Sequence, residues 1–186
     1  MLFKSLFYDF KINKKEKLQS SEVGRIPEDW NLKKLEDVTF ITDCQHSKKP
    51  KNREKENYLL QVYNIGEKGQ LDLTDPYFIS NEDYQHWIRR IEVKKGDIII
   101  SKTGRVGAIA QIPDMKAAIG RNLVCIRPNS EFLSPEYLKE YMLSNKMNNE
   151  IRLKTSSGTI LDSLHVKYIK KLRIILPSES LLKKFS

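Results

Sequence analysis

The sequence has no run of apolar residues as long as the roughly eighteen that a helix needs to cross a bilayer. Its apolar start, MLFKSLFYDF, is interrupted by Lys4 and Asp9 and has no small-residue cleavage site, so it does not resemble a secretory signal peptide. We therefore expect a cytosolic protein with no membrane partner.

Cysteine is also scarce, with only Cys44 and Cys125 in 186 residues and no CxxC pair. This pattern favours reduced thiols over a disulfide framework. The three histidines, His46, His86 and His165, share no zinc-ligand spacing with either cysteine beyond an isolated Cys44-x-His46. The sequence therefore predicts neither disulfides nor a metal site.

Motifs of cofactor-binding enzymes are missing. The Walker spacing G-x-x-x-x-G-K-[ST] is absent, and TDPYF (74–78) lacks the second proline of the base-gripping motif of adenine methyltransferases. One enzymatic alternative stays open, because Asp97, Asp114 and Lys116 match the D…(D/E)xK pattern of Mg²⁺-dependent nucleases. Asp114 follows Pro113 in a predicted turn, where metal geometry is hard to maintain. A protein-only assembly module is a third possibility.

Positive charge, in contrast, is abundant, with 33 lysines and arginines against 24 acidic residues and a formal net charge of +9. Such a surface attracts polyanions, of which nucleic acid is the commonest. The densest cationic stretch, HSKKPKNREK (46–55), has no apolar periodicity and predicts a solvated loop.

Short Ile/Val-rich runs predict strands at 57–65, 97–101, 106–112, 122–128 and 172–177. Two helices are predicted, one capped by Ser80 and one by Ser134 with a proline in its first turn. Residues 11–25 are polar and predict a linker. Without strict βαβ alternation, the pattern favours an α+β fold, a single mixed domain with short, mostly antiparallel strands.

The stretch GDIIISKTGRVGAIAQI (96–112) predicts a hairpin with a cationic tip. Gly104 and Gly107 can adopt positive φ, and Lys102 and Arg105 offer a point charge and a forked donor to phosphate or guanine. A plain hairpin with a glycine-rich turn explains the same pattern.

Four segments in order resemble the target-recognition domain of type I restriction-modification specificity subunits. They are GRIPEDWNLKKLEDV, DCQHSKKP, GDIIISKTGRVGAIAQI and SSGTILDSLHVKYIKKLRIILPS, which together span about residues 24–178. The resemblance implies the end of a spacer helix and a linker at 1–22, a target-recognition domain at 23–177 and the start of a following spacer helix at 178–186. Where the family often has His-Gly-Thr-Pro, this chain has HSKKP, which shifts that loop toward phosphate contacts.

The resemblance also implies a non-catalytic subunit that reads one half of a bipartite site in double-stranded DNA. It would position a methyltransferase subunit, which carries S-adenosylmethionine, and indirectly a restriction subunit that uses ATP and Mg²⁺. No cofactor is expected in this chain. A homodimer, or pairing with a second half-subunit through the spacer helices, is also expected.

We interpret the polar loops as the DNA-binding residues. Lysines suit phosphates, whereas Arg105 and Asn52 suit bidentate contacts with guanine and adenine. The predicted contacts are His46, Ser47, Lys48, Lys49, Lys51, Asn52, Arg53, Lys102, Thr103, Arg105, Arg121, Asn122, Lys154, Thr155, Ser156, Ser157 and Thr159.

Overall fold

The structure is a computed structural model that describes residues 17–129, 131–156, 162–178 and 181. Its strands are β1 Leu18–Ser21, β2 Gly24–Pro27, β3 Asn31–Lys34, β4 Thr39–Asp43, β5 Asn57–Leu60, β6 Phe78–Ile79, β7 Ile98–Ser101, β8 Ile109–Gln111, β9 Ala117–Ile119, β10 Leu123–Pro128 and β11 Arg173–Leu176. Its helices are α1 Leu35–Val38, α2 Asn81–Trp87, α3 Pro135–Met142, α4 Asn145–Lys154 and α5 Val166–Lys170. The predicted α+β class is confirmed.

A four-stranded antiparallel sheet in the order β4-β10-β7-β8 forms the centre of the domain. Successive residues of its strands point to opposite faces of the sheet and pack into two different hydrophobic cores, as the two-residue period of a strand requires. Ile98 and Ile100 pack with residues of α3, whereas Ile99 and Cys125 pack with the sheet formed by β5 and β9. The central strands β7 and β10 are therefore buried on both faces over most of their length, which explains why they read as continuous apolar runs.

The second sheet has the order β6-β5-β9, and its β5–β9 pair is parallel. Helix α2 covers this sheet with Tyr84 and Trp87, which pack against Leu59 and Ala118. The predicted caps are confirmed: the Ser80 side chain accepts a hydrogen bond at the start of α2, and the Ser134 side chain does so at the start of α3. Two sheets thus set the positions of the loops between their strands.

The prediction of a linker at residues 11–25 is partly wrong. From Leu18 the chain forms an antiparallel hairpin, β1–β2, in which Gly24, the first residue after the turn, has φ +100°. The Gln19 amide donates to the backbone oxygens of Pro27 and Trp30, which ties this hairpin to the domain. The predicted boundary after residue 22 falls in the hairpin turn, and residues 1–16, where the end of a spacer helix is expected, lie outside the described residues.

The strand predicted at 57–65 is shorter than expected because Asn64 folds its end into a 3₁₀ turn at Val62–Asn64. The Asn64 amide accepts a hydrogen bond from Gln61 N and donates to the carbonyls of Asp72 and Asp75. Sequence periodicity also missed the helices α4 and α5.

None of the helices in the described part of the chain is long and apolar enough to cross a membrane.

Candidate nucleic-acid interface

Most polar loops gather at one end of the two sheets. Strands β4 and β7 end there, and β10 begins there, since Val124 pairs with Asp43 and Leu123 pairs with Ser101. The parallel strands β5 and β9 end on the same side, where Gly120 N donates to Leu60 O at 2.7 Å. We call this region the loop end; it comprises residues 44–47, 61–66, 102–108, 120–122, 155–156 and 162–164.

The hairpin tip has the backbone conformation that its glycines predict. Gly104 has φ +75° and Gly107 has φ +79°. A Cβ added to Gly104 would come no closer than 3.9 Å to another atom, but one added to Gly107 would lie 2.8 Å from Ile151 Cγ2. Gly104 therefore shapes the exposed tip, whereas Gly107 allows the hairpin to pack on α4.

Arg105 projects from this tip and stays exposed. Its Nη1 donates to Ile65 O at 2.5 Å, which links the tip to the turn after β5. A guanidinium has five N–H donors, so one internal bond leaves others for a ligand. The arrangement is compatible with the predicted contact to phosphate or guanine.

Lys102 is engaged inside the protein instead of projecting into solvent. Its side chain is only 13% exposed, and its Nζ lies 2.6 Å from Asp43 Oδ1. The other carboxylate oxygen of Asp43 accepts a hydrogen bond from His46 Nε2 at 2.9 Å. Burial alone would raise the pKa of Asp43, but the bonds from Lys102 and His46 outweigh it and hold that pKa below its ordinary value. The structure therefore argues against Lys102 as a free phosphate contact.

The cationic segment 46–55 is a loop, as predicted, but its backbone is fixed by long-range hydrogen bonds. Ser47 Oγ lies 2.6 Å from His86 Nε2, and Tyr77 OH donates to Pro50 O at 2.5 Å. Lys49 Nζ lies 3.6 Å from the centre of the Tyr77 ring, and partial burial lowers the pKa of Lys49. The loop thus leaves the loop end after Ser47 and follows the β6 edge. Its exposed cations after Ser47 are Lys48, Lys49, Lys51, Arg53 and Lys55.

Asn52 has a structural role that its sequence context did not show. Its amide oxygen accepts hydrogen bonds from Arg53 N at 3.1 Å and from Phe78 N at 2.9 Å. Both lone pairs of that oxygen are therefore used, while a bidentate adenine contact needs the same oxygen as an acceptor. This geometry argues against the predicted adenine-reading role.

The polar segments on either side of residues 157–161 reach the hairpin tip. Ser163 pairs with both Thr103 and Ser156, and Leu164 N donates to Lys102 O at 2.9 Å. Lys154 instead lies 3.4 Å from Glu150 on the same helix, so it contributes less free charge than expected. Thr155 caps α4 by donating to a helix carbonyl, and Ser157 and Thr159 lie outside the described residues.

The turn before β10 also belongs to the loop end. Asn122 adopts φ +70°, a conformation that asparagine tolerates better than most residues, and its carbonyl accepts from Lys102 N at 2.7 Å. Arg121 precedes it and is exposed. Arg121 and Arg105 are therefore exposed arginines from two adjacent loops.

Tyr63 is a candidate contact that sequence analysis missed. Its side chain is 46% exposed, and the neighbouring Val62 lies beside the hairpin tip, with Cγ1 3.9 Å from the position of a Cβ on Gly104. The run NYLLQVYN was assigned to one strand, which concealed the turn that exposes this ring. An exposed tyrosine can stack on bases or pack on a thymine methyl group.

The nuclease alternative finds no support in the geometry. Asp97 is 2% exposed, and its carboxylate accepts from Arg127 Nε at 2.9 Å and from Arg127 Nη2 at 2.7 Å. It also accepts from Lys94 N. Lys116 lies over the ring of Tyr84, 4.4 Å from its centre. Asp97 is thus a buried partner of Arg127 and is not open to a metal ion.

A different trio, Asp43, Cys44 and His46, has potential ligand atoms within 4.8 Å of one another. The ammonium of Lys102 already neutralises Asp43, and burial raises the pKa of the Cys44 thiol, which opposes the thiolate that a metal requires. The trio is better described as part of an ion-pair network.

Three comparisons with known proteins bear on identity. A putative type I restriction enzyme MjaX specificity subunit from Methanocaldococcus jannaschii is 25% identical over 170 residues, which are 88% of this chain and 39% of that protein. The crystal structure of the HsdS subunit from Thermoanaerobacter tengcongensis superposes with a TM-score of 0.62 at 18% identity, over 86% of this chain and 36% of that one. A chain from a structure of complex assembly and conformational transition in the type I R-M system gives a TM-score of 0.68 at 16% identity, over 99% of this chain and 41% of that one.

The chain thus spans about two fifths of the length of these relatives. Residues 27–180 match the family model described as the type I restriction modification DNA specificity domain. Because this match covers most of the chain, the protein belongs to the type I restriction modification DNA specificity domain family.

Proposed function

We propose that this chain is a DNA-specificity module that reads one half of a bipartite site and carries out no chemistry of its own. The observation that supports this most is the convergence of loops from β4, β5, β7 and β9 at one end of a rigid double sheet. Rigid strands with exposed polar loops suit recognition of a fixed sequence, because the scaffold limits the conformations of the reading side chains.

The proposed contacts divide by chemistry. Arg105 and Arg121 supply forked donors to guanine edges or phosphates, and the ring of Tyr63 stacks on a base near these arginines. Lys48, Lys49, Lys51 and Arg53 hold the phosphate backbone beside the loop end. Asn52 and Lys102 act inside the protein, since their polar atoms are already bonded there.

The proposed partners are a methyltransferase subunit that binds S-adenosylmethionine and, through it, an ATP- and Mg²⁺-dependent restriction subunit in the cytosol. A bipartite site needs two recognition domains, while the described residues form one. A second copy of this chain, or a second half-subunit, would supply the other.

The experiment is selection from a duplex pool with a randomised segment, using this chain with and without the methyltransferase subunit. We expect one short sequence to be enriched, with a mobility shift that weakens steeply as salt increases. Arg105→Ala should lower the preference for that sequence at one base pair, by roughly 1–3 kcal/mol.

Lys33→Ala is the matched control, since Lys33 is an exposed cation on β3, near the start of β4 instead of its end. This variant should bind like the wild type. Enrichment of no sequence in either arm, or equal effects of both variants on every duplex, would refute the proposal.

A further inference from the structure

Asp43 is an acidic residue directly before the loop end, in a protein with a net charge of +9 whose DNA-binding surface should favour cations. It ends β4, and its side chain is 20% exposed. A carboxylate in this position repels phosphates, so electrostatics alone gives no reason for it. Its contacts give a different reason.

The two oxygens of Asp43 contact two separate loops. Oδ1 accepts from Lys102 Nζ at 2.6 Å and from Cys44 N at 2.9 Å, and Oδ2 accepts from His46 Nε2 at 2.9 Å. Lys102 begins the hairpin tip, 59 residues away in sequence, and His46 lies in the loop after β4. One carboxylate therefore fixes the hairpin tip relative to the cationic loop.

Lys102 connects further segments through its backbone. Its N–H donates to Asn122 O at 2.7 Å, and its carbonyl accepts from Leu164 N at 2.9 Å. The side-chain bond to Asp43 thus adds a fourth loop to an assembly of three. With only 13% of its side chain exposed, Lys102 has little freedom to follow a phosphate.

On these contacts, and resting on the proposed function, we infer that Asp43 is a positioning residue for sequence recognition. It sets the distance between the hairpin tip that carries Arg105 and the loop that carries His46, so that both meet the same few base pairs. It does so through Lys102 and His46 and does not itself touch DNA.

The positioning role and simple charge repulsion predict opposite effects of Asp43→Asn on the affinity for the selected duplex. If Asp43 only repelled phosphates, Asp43→Asn would tighten binding to every duplex, because it removes a negative charge and leaves the charge of Lys102 no longer neutralised. If Asp43 positions the loops, the same variant loses affinity for the selected sequence, while affinity for random duplex stays constant or rises. Asparagine keeps Oδ1 as the acceptor for Cys44 N, so the fold has little reason to change, but it removes the negative charge that holds Lys102 and the second acceptor oxygen that faces His46.

The experiment measures dissociation constants of the full chain for the selected duplex and for the randomised pool, together with the melting temperature of each variant. We expect Asp43→Asn to lower the ratio of the two affinities on the order of tenfold, the factor that 1.4 kcal/mol represents. Lys102→Met should do the same and Lys102→Arg should not. The double variant should lose no more than Asp43→Asn alone, because Lys102→Met removes an interaction that Asp43→Asn already weakens.

Glu22→Gln is the matched control, since it makes the same chemical change in the ion pair with Arg173, 2.6 Å apart, between the β1–β2 hairpin and β11. This control should leave the affinity ratio unchanged. Equal tightening toward both duplexes by Asp43→Asn would overturn the positioning role, and so would an equal loss toward both. A wild-type chain with no sequence preference would instead refute the proposed function, and the positioning role with it.

Discussion

The two glycines of the hairpin tip should respond very differently to the same substitution. Both have positive φ, which costs an alanine roughly 1–2 kcal/mol, while loss of the flexible glycine from the unfolded chain returns about 0.4–1 kcal/mol. The methyl group added by Gly104→Ala has no close contact, so only the backbone cost applies, and the variant should destabilise the protein by about 1 kcal/mol. Gly107→Ala also forces a methyl group against Ile151 Cγ2 at 2.8 Å, which adds roughly 1–3 kcal/mol of overpacking.

Urea unfolding followed by the fluorescence of Trp30 and Trp87, which are both buried, measures this difference. With a slope of about 1–3 kcal/mol per molar urea, the unfolding midpoint of Gly107→Ala should fall below that of Gly104→Ala by on the order of 1 M. Adding Ile151→Ala to Gly107→Ala should cost less than the sum of the two single changes, because the methyl group then fills part of the cavity. Equal midpoints for the two glycine variants would refute the packing role of Gly107.

Three further predictions concern charge. Lys49→Ala should weaken binding to selected and random duplex equally and reduce the salt slope by about one unit, as measured by mobility shift at several salt concentrations. Arg127→Met should destabilise the fold by roughly 3–5 kcal/mol, measured by urea unfolding, because it leaves the carboxylate of Asp97 buried without its cation. Adding Asp97→Asn should restore most of that lost stability. An additive loss in the double variant would contradict the pairing. Because Lys102 and His46 hold the folded-state pKa of Asp43 below 3.8 despite its burial, the pair contributes stability above that pH and loses it as pH falls through the folded pKa. The stability advantage of the wild type over Asp43→Asn should therefore shrink as pH falls through the folded-state pKa of Asp43, and an advantage that does not change with acidification would contradict the pairing.

Much of the fold was predictable because it depends on local patterns. Continuous Ile/Val runs identified β7 and β10, and serine caps identified the starts of α2 and α3. The linker prediction failed because a short polar hairpin has almost no apolar periodicity, and β1–β2 is held by Gln19 and by backbone pairing instead.

The candidate site was predicted less completely than the fold. Lysines and glycines marked the hairpin tip, where the structure places Gly104 and Arg105 on the surface; their contact with DNA stays a prediction. Lys102 and Asn52 were given contacts with DNA because their residue types suit it, but each is bonded to a residue far away in sequence. Tyr63 was missed because the run that contains it reads as one strand. In the structure the side-chain amide of Asn64 folds the end of that run into a turn, which exposes the ring.

By itself, the sequence determined the charge, the strand scaffold, the ordered motifs and the family resemblance, since all of these are properties of composition or of neighbouring residues. Only the tertiary structure decided which polar groups remain available to a ligand. The reason is physical: hydrogen-bonding capacity is limited, and partners such as Asp43 for Lys102, 59 residues apart, meet only when the sheets bring their loops together.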